Sequence, residues 1–492
     1  MTAANFEQLK VAHSFADLPH DFYTRTDPVP LTEPQLLHVN TELAKQLGLS
    51  ESYLHSPEFL NIMAGNQSLP GGKSIAAVYS GHQFGVWAGQ LGDGRAHLLG
   101  EIVTPQGPQE IQLKGSGLTP YSRMGDGRAV IRSTVREYLA SEAMAGLGIP
   151  TTRALAMVTA QDPVRRETIE RAAVIARVAP SFVRFGSFEH WATKPENQAT
   201  LLRYVVKRFY PELRQADDPE INNLAPVVPA FFEAVVLRSA RLVADWQTVG
   251  FCHGVLNTDN MSVLGLTLDY GPYGFMDNFQ IDHICNHTDR LGRYAWNAQP
   301  TVVQWNLHRL AASLLALGID QEPLQQALNR YEAAFLSRYH HNLSQKLGLQ
   351  RAQEADAELF DDWWHLLHDQ QADFTLAFRL LEGVLDDASH WLALFKHKAA
   401  AIKWLQAYRK RVATDPLSAT ERSKQMLAAN PIYVLRNHLA QEAIEQAEQG
   451  SAKEINTLLH LLRTPFTEQE GYAYYAQAAP EWAQSLAISC SS

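Results

Sequence analysis

Cysteine is scarce: Cys252, Cys285 and Cys490 are the only three in 492 residues. Three thiols cannot build the disulfide framework of a secreted scaffold, and they suit a reducing compartment. Long apolar runs are missing too. None reaches the ~20 residues a bilayer crossing needs, so no membrane partner is expected. The first residues lack the basic, apolar, small-residue order of a secretory leader, which makes the cytoplasm the expected location. Positive charge is in deficit: 42 Lys and Arg face 52 Asp and Glu, a formal net charge of −10. That balance opposes general binding to nucleic acid. There is no internal repeat, low-complexity block or heptad pattern, and a monomer is expected.

What remains is 46% apolar and 19% charged, the composition of a globular chain with a substantial core. Residues 1–74 mix short helical patterns with Pro-rich turns such as "DPVPLTEPQ" and read as an N-terminal extension. Residues 75–190 are Gly-rich and strand-like. "AHLLGEIV" and "EIQLKGSG" flank "TPQGPQ", the pattern of an antiparallel pair. Ile131, Val135, Tyr138, Leu139 and Ala143 then recur at helical spacing, with Gly148 and Pro150 as stop signals. "ERAAVIARVA" reads as a further strand. Residues 191–480 are mainly helical, with Trp363, Trp364, Trp391 and Trp404 as core anchors, and 481–492 form a tail carrying Cys490. A β-rich half feeding a helical half predicts an α+β chain with a two-lobed, protein-kinase-like layout.

Four stretches carry candidate chemistry. "GQLGDGR", Gly89 to Arg95, is either a plain hairpin turn or a loop whose backbone N–H groups approach phosphate. Lys114, on a strand between apolar neighbours, is either an edge residue reaching water or an inward phosphate contact. Its partner in the second case would be Glu137, which has no local cation at i±3 or i±4. Arg177 and Arg184, in "ARVAPSFVRFGSFE", stand in an apolar-aromatic segment. They suit polyphosphate oxygens or else stack on Phe182 and Phe185. Asp126-Gly127 in "RMGDGRAV" joins this group.

The fourth stretch is "FCHGVLNTDNMSVLGLTLDYG". Asn260 and Asp269 supply hard oxygen ligands suited to Mg²⁺ or Mn²⁺. "MSVLGLTL" reads as two short strands turning at Gly265, folding Asp269 back towards Asn260. His253 reads as a hydrogen-bonded brace for the loop. Aligned on the kinase pattern H-R-D-x-x-x-x-N, the base position holds Val255. Asp259 is the nearest carboxylate, four residues displaced. Either the chain performs no chemistry, or a different phosphorus is attacked. "DHICNH" (His283, Cys285, His287) lacks the complete ligand set of a tetrahedral site.

These motifs together resemble the selenoprotein O family, bacterial branch, most densely between about 75 and 290. The resemblance implies a pseudokinase fold that binds ATP reversed and transfers AMP to Ser, Thr or Tyr hydroxyls of protein partners. UMP from UTP is also implied for bacterial members. By that resemblance Gly92, Gly94, Arg95, Lys114, Asp126, Gly127, Arg177 and Arg184 contact the nucleotide, and Glu137 holds Lys114. Asn260 and Asp269 bind Mg²⁺ or Mn²⁺, and Asp259 accepts the proton. Cys490 stands where many relatives carry selenocysteine, and a reversible disulfide with Cys285 is the corresponding redox hypothesis. A phosphotransferase using Asp259 and an inactive nucleotide-binding scaffold are the competing readings.

Overall fold

The computed structural model describes residues 4–486. Strands form where apolar residues alternate or run continuously. These are β1 (Val11–Ala12), β2 (Tyr23–Arg25), β3 (Gln35–Val39), β4 (Ile75–Gln83), β5 (Val86–Gly92), β6 (Ala96–Thr104), β7 (Gly107–Lys114), β8 (Ala129–Val130), β9 (Arg153–Arg165) and β10 (Ile169–Ala179). They make one ten-stranded antiparallel sheet ordered β2-β4-β6-β7-β10-β9-β3, with β1 on β6, β5 on β4 and β8 on β10. The expected pairing of "AHLLGEIV" with "EIQLKGSG" is the β6–β7 hairpin, closed by the Thr104–Gly107 turn.

Successive side chains on a strand point to opposite faces, and here the two faces carry different chemistry. Ile111 and Leu113 of β7, with Val174, Ala176 and Val178 of β10, pack under α1 (Thr41–Gln46), α2 (Glu51–Leu54) and α3 (Pro57–Ala64). The alternate residues Gln112, Lys114, Ile175 and Arg177 face the other side, towards α4 (Ile131–Gly146). Period two therefore turns Lys114 and Arg177 inward together. In the β7–β10 register Gln112 opposes Arg177, and Lys114 opposes Ile175.

α4 ends as its stop signals predict. Gly148 adopts φ +75°, and Ile149 N–H reaches back to Met144 O at 2.9 Å, satisfying carbonyls the helix would leave open. The helix is buried almost all round, and Glu137 is only 3% exposed, so it is no solvated glutamate. The helical half follows with α5 (Phe185–His190), α6 (Pro195–Phe209), α7 (Val227–Thr248), α8 (Gln299–Leu314) and further helices to Arg463. Trp363, Trp364, Trp391 and Trp404 lie in one buried cluster, with Trp363 and Trp404 centroids 4.6 Å apart.

Three features differ from the sequence reading. The segment before residue 75 forms the expected short helices, α1–α3 among them, and in addition supplies β1–β3 to the main sheet. "MSVLGLTL" forms one isolated bridge, Met261 to Thr267, around Gly265. Two strands do not form because neighbouring segments take the backbone groups: Thr267 N–H donates to Pro150 O and Phe185 N–H to Met261 O. The helices Asn437–Glu448 and Lys453–Arg463 return to pack on α4, and His38 Nε2 meets Asn456 Oδ1 at 2.9 Å. Among the described residues no helix is long and apolar enough to cross a membrane.

Gly146 marks the closest approach of that returning helix: a Cβ there would stand 1.9 Å from Leu462 O. Alanine normally gains about 1 kcal/mol over glycine inside a helix. Here overpacking against backbone, about 1–3 kcal/mol, should outweigh it. Gly146→Ala is expected to lower the urea midpoint, and an unchanged or raised midpoint would refute this packing account.

Candidate active site

The inward sheet face, the loop following β10 and the 253–271 loop enclose a cavity of about 690 Å³. Its walls include Gly92, Gly94, Arg95, Lys114, Asp126, Gly127, Arg177, Arg184, Asp259, Asn260 and Asp269. Of the residues singled out for nucleotide, metal or proton transfer, only Glu137 is outside the lining, one layer behind Lys114. β11 (Phe251–Cys252) and β12 (Gly274–Phe275) pair antiparallel at the base of the loop and anchor its two ends.

At the centre three cations share two carboxylates. Lys114 Nζ lies 2.6 Å from Glu137 Oε2 and 3.3 Å from Asp269 Oδ1. Arg177 Nη1 bridges Glu137 Oε1 at 3.0 Å and Asp269 Oδ1 at 2.5 Å, and Arg184 Nη1 meets Asp269 Oδ2 at 2.9 Å. Gln112 Oε1 accepts from Arg177. Burial alone would raise the Asp269 carboxyl, but Lys114, Arg177 and Arg184 outweigh it and hold the group well below the usual carboxylate range. Burial depresses Lys114 against the pull of Glu137 and Asp269. Asp93 and Asp259 line the same cavity, so its excess of positive charge comes from Arg95 and the arginines at its mouth, and the site attracts anions although the whole chain is acidic. Arg177 and Arg184 also meet aromatic faces, Phe182 at 5.0 Å and Tyr79 at 4.6 Å; stacking and anion contact occur together.

Asp259 sits in a single 3-10 turn, Thr258–Asn260. Its Oδ2 accepts from Gln83 Nε2 at 3.2 Å, and its Oδ1 is buried with no hydrogen-bond partner. Burial raises its pKa to about 6, against the lowering effects of Arg184 and the Gln83 hydrogen bond. Gly81 and Gly186 make this placement possible. A Cβ on Gly81 would come 3.2 Å from Asp259 Oδ1, and one on Gly186 would stand 2.1 Å from Ser80 O. Asn260 donates Nδ2 to Val255 O at 3.0 Å, its side chain's single hydrogen bond, leaving Oδ1 available. Val255 thus contributes a carbonyl where a kinase has its base. The hydrogen-bonded brace expected of His253 is not found at its ring. Neither nitrogen has a partner; the ring packs on Trp246 at 5.4 Å, and burial lowers its pKa to about 4. The backbone does the bracing, through His253 N–H to Gln299 Oε1.

The glycine turn touches the cavity, and its glycines answer to packing: a Cβ on Gly92 would meet the Tyr121 ring at 2.5 Å. Arg95 is exposed at the rim. Asp126 is held by Arg166, at 2.6 Å to Nη1, and the Arg166 hydrogen bond lowers its pKa. The sequence reading missed Gln83, which lies far from Asp259 in the chain. It also missed the mouth arginines Arg123, Arg128, Arg165 and Arg166, all four of them in "SRMGDGR" and "VRR" next to residues it did single out or their partners.

Asp269, Asn260 and Asp259 line one cavity and carry hard oxygen donors. They fit a Mg²⁺ or Mn²⁺ ion that completes its shell with phosphate and water. Among the described residues no three His, Cys, Asp or Glu side chains gather as a self-sufficient cage, which includes "DHICNH". Cys285 is buried, its Sγ donating to Pro272 O at 2.9 Å, and burial raises the thiol well above its ordinary value. Cys490 lies outside the described residues.

The sequence model of the family described as "Protein adenylyltransferase SelO" matches residues 5–463. The chain is 56% identical over 497 residues to "Protein nucleotidyltransferase YdiU" of Bordetella petrii, covering 100% of both chains. It is 50% identical over 492 residues to the protein of the same name from Dechloromonas aromatica, covering 98% of this chain and 97% of that one.

Asp269→Asn would leave Lys114 and Arg177 with Glu137 alone and take from Arg184 its carboxylate partner in the cluster. Removing one partner from a buried ionic cluster costs about 3–5 kcal/mol, and a loss of that size is expected in urea unfolding. Because the folded-state pKa of Asp269 is depressed, its contribution is complete above the ordinary Asp value of about 3.9. It disappears as pH falls towards the folded value. The variant should lack that acid-dependent component; identical stability–pH curves would contradict the cluster's importance.

Proposed function

The chain belongs to the protein adenylyltransferase SelO family, and from that membership we propose that it transfers AMP from ATP to Ser, Thr or Tyr hydroxyls of proteins. Nucleotidyl transfer to protein is the activity its relatives' names state. The donor, the acceptor side chain and the mechanism are our reading. Residues 75–190, with β1–β3 of the preceding segment added to their sheet, make one lobe and residues 191–480 the other, arranged as in a protein kinase. The support is a lysine on a sheet strand paired with a glutamate on the following helix, above a loop bearing Asn260 and Asp269.

One observation carries the mechanism: Asp259, whose carboxylate is buried with one oxygen, Oδ1, left without a partner, lines the same cavity as the three-cation cluster. The nucleotide lies reversed, with its α-phosphorus near Asp259 and its β,γ end among Lys114, Arg177 and Arg184. Gly92, Gly94 and Arg95, with Asp126 and Gly127, flank the triphosphate. The acceptor hydroxyl oxygen bonds to the α-phosphorus, the bond to the β-phosphate oxygen breaks, and the hydroxyl proton passes to Asp259. Pyrophosphate leaves, and the surplus positive charge stabilises it as its own charge grows. Mg²⁺ or Mn²⁺, held by Asn260 and Asp269, would supply further neutralisation of phosphate charge. A proton acceptor with a pKa of about 6 is mostly ionised at neutral pH and close enough to it to exchange protons readily. Nothing in the cavity singles out adenine, and the relatives' names say only nucleotidyl, so UTP is the donor to compare.

Label from α-³²P-ATP should remain on protein and label from γ-³²P-ATP should not. The reverse result would make the chain a phosphotransferase, and no label from ATP or UTP would make it a scaffold. Asp259→Asn should cut transfer by about 10²–10⁴-fold. The wild-type rate should rise as pH passes through about 6 and then level off. Gln83→Leu removes a hydrogen bond that favours the ionised carboxylate, so its rising limb should move to higher pH; an unmoved limb would disqualify Asp259 as the titrating group.

A further inference from the structure

The tip of the β4–β5 hairpin breaks a local rule. Gln83 pairs with Val86, so Phe84 and Gly85 form a two-residue turn, with φ of +50° and +81°. Such turns favour Asn-Gly, because a bulky residue at positive φ is strained. Phe84 is held there by its N–H, which meets Asn257 Oδ1 at 3.1 Å and the Tyr294 hydroxyl at 2.9 Å, and by its ring, 5.1 Å from that of Tyr294. Gly85 packs against a guanidinium: a Cβ there would lie 3.0 Å from Arg293 Cζ. Strain of this kind gathers at functional positions. This tip touches the proposed proton acceptor through Gln83 and Asp259.

Beyond the tip lies apolar surface with nothing on it. Val86 is 69% exposed and Trp87 50%. Trp87 meets His82 at 5.1 Å, and His82 meets Trp305 of α8 at 5.4 Å, making a continuous aromatic strip. At the far end Arg293 and Arg309 lie 4.8 and 5.2 Å from the Trp305 ring centroid. Neither forms an ion pair with a carboxylate among the described residues, and the Nε of each is buried without a hydrogen-bond partner. Two half-buried arginines without a carboxylate partner among the described residues stand out in a chain with ten more acidic than basic residues. Their missing partner is an anion brought from outside.

We propose that this strip docks the acceptor segment of the protein substrate. An apolar or aromatic side chain beside the acceptor hydroxyl rests on Val86 and Trp87, and an Asp or Glu further along pairs with Arg293 and Arg309. The hydroxyl is thereby presented to Asp259. The proposal rests on the transferase reading and adds to it the kind of sequence that is modified.

The test uses the full chain and three fluorescent twelve-residue peptides, each with one central Ser. The first has Trp and Glu flanks, the second Trp and Lys, the third only Gly. Binding is followed by anisotropy without nucleotide, and transfer separately with α-³²P-ATP. The Trp–Glu peptide should bind about tenfold more tightly than either other peptide and show a matching advantage in kcat/KM, a difference that added salt reduces. Arg309→Glu should reverse the preference to the Lys peptide, a gain that misfolding cannot produce. Val86→Ser with Trp87→Ser should bring the Trp–Glu peptide down towards the Gly peptide, leaving the latter unchanged. Equal affinities, or an order that Arg309→Glu leaves unmoved, would overturn the docking surface whatever the chemistry does. Selective binding without label would uphold the surface and count against the transferase reading alone.

Discussion

The Asp269 carboxylate, met by Lys114, Arg177 and Arg184, is the contact around which the site is assembled. Its members come from β7, β10, the segment entering α5 and the 253–271 loop, with Glu137 of α4 behind them. Desolvating each charge costs several kcal/mol, so none could be buried alone. They are buried because each satisfies another, and that mutual requirement fixes sheet face, helix and loop in one register. Apolar packing under α1–α3 holds the opposite face of the same strands. A one-residue slip in β7 would send Lys114 into that apolar layer and Leu113 into the charged one.

The imbalance in this cluster reconciles two facts that first look opposed. The chain is acidic overall, with a net charge of −10, yet the cavity around Asp269 collects cations. Long-range charge governs solubility and non-specific association, whereas the field in a cavity is set by the few groups inside it, where low dielectric strengthens each one. Lys114, Arg177 and Arg184 at its centre face Glu137 and Asp269, with Asp93 and Asp259 beside them, and the arginines of its lining tip the local balance to a positive surplus that a polyphosphate can neutralise. Arg95 and the mouth arginines extend that surplus outward.

Local pattern made much of this legible. Alternation in "AHLLGEIV" and "EIQLKGSG" located β6 and β7, and the 131–143 spacing with Gly148 located α4. The absence of a local partner for Glu137 pointed to a tertiary cation, and Lys114 and Arg177 are the ones it meets. What stayed hidden depends on contacts between distant segments. "QLLHV" is too short to declare itself as β3, and becomes a strand because β9 offers an edge. The helices after residue 437 show amphipathic spacing but not the surface they cover. Gln83 lies 176 residues from Asp259, and no spacing rule links an amide on one hairpin to a carboxylate on a remote turn. His253 failed as a hydrogen-bonding brace because Trp246 and Phe251 surround its ring where polar partners were expected.

The valine at the kinase base position then has a physical reading that does not involve loss. Val255 accepts the Asn260 amide through its carbonyl, a task any side chain allows, so the position can be apolar without disturbing the loop. Asp259 meanwhile depends on its surroundings. Gly81 and Gly186 let two backbones close around it, Arg184 clamps its carbonyl at 2.6 Å, and Gln83 holds one carboxylate oxygen. Enclosure lifts its pKa, while the nearby guanidinium and amide keep it from rising far enough to stay protonated at neutral pH. An exposed aspartate would be too weak a base and one buried without those partners would carry its proton permanently. The balance between burial and Arg184 keeps this displaced carboxylate able to ionise near neutral pH, and the same arginine, bound to Asp269 as well, ties the proposed proton acceptor to the charge cluster.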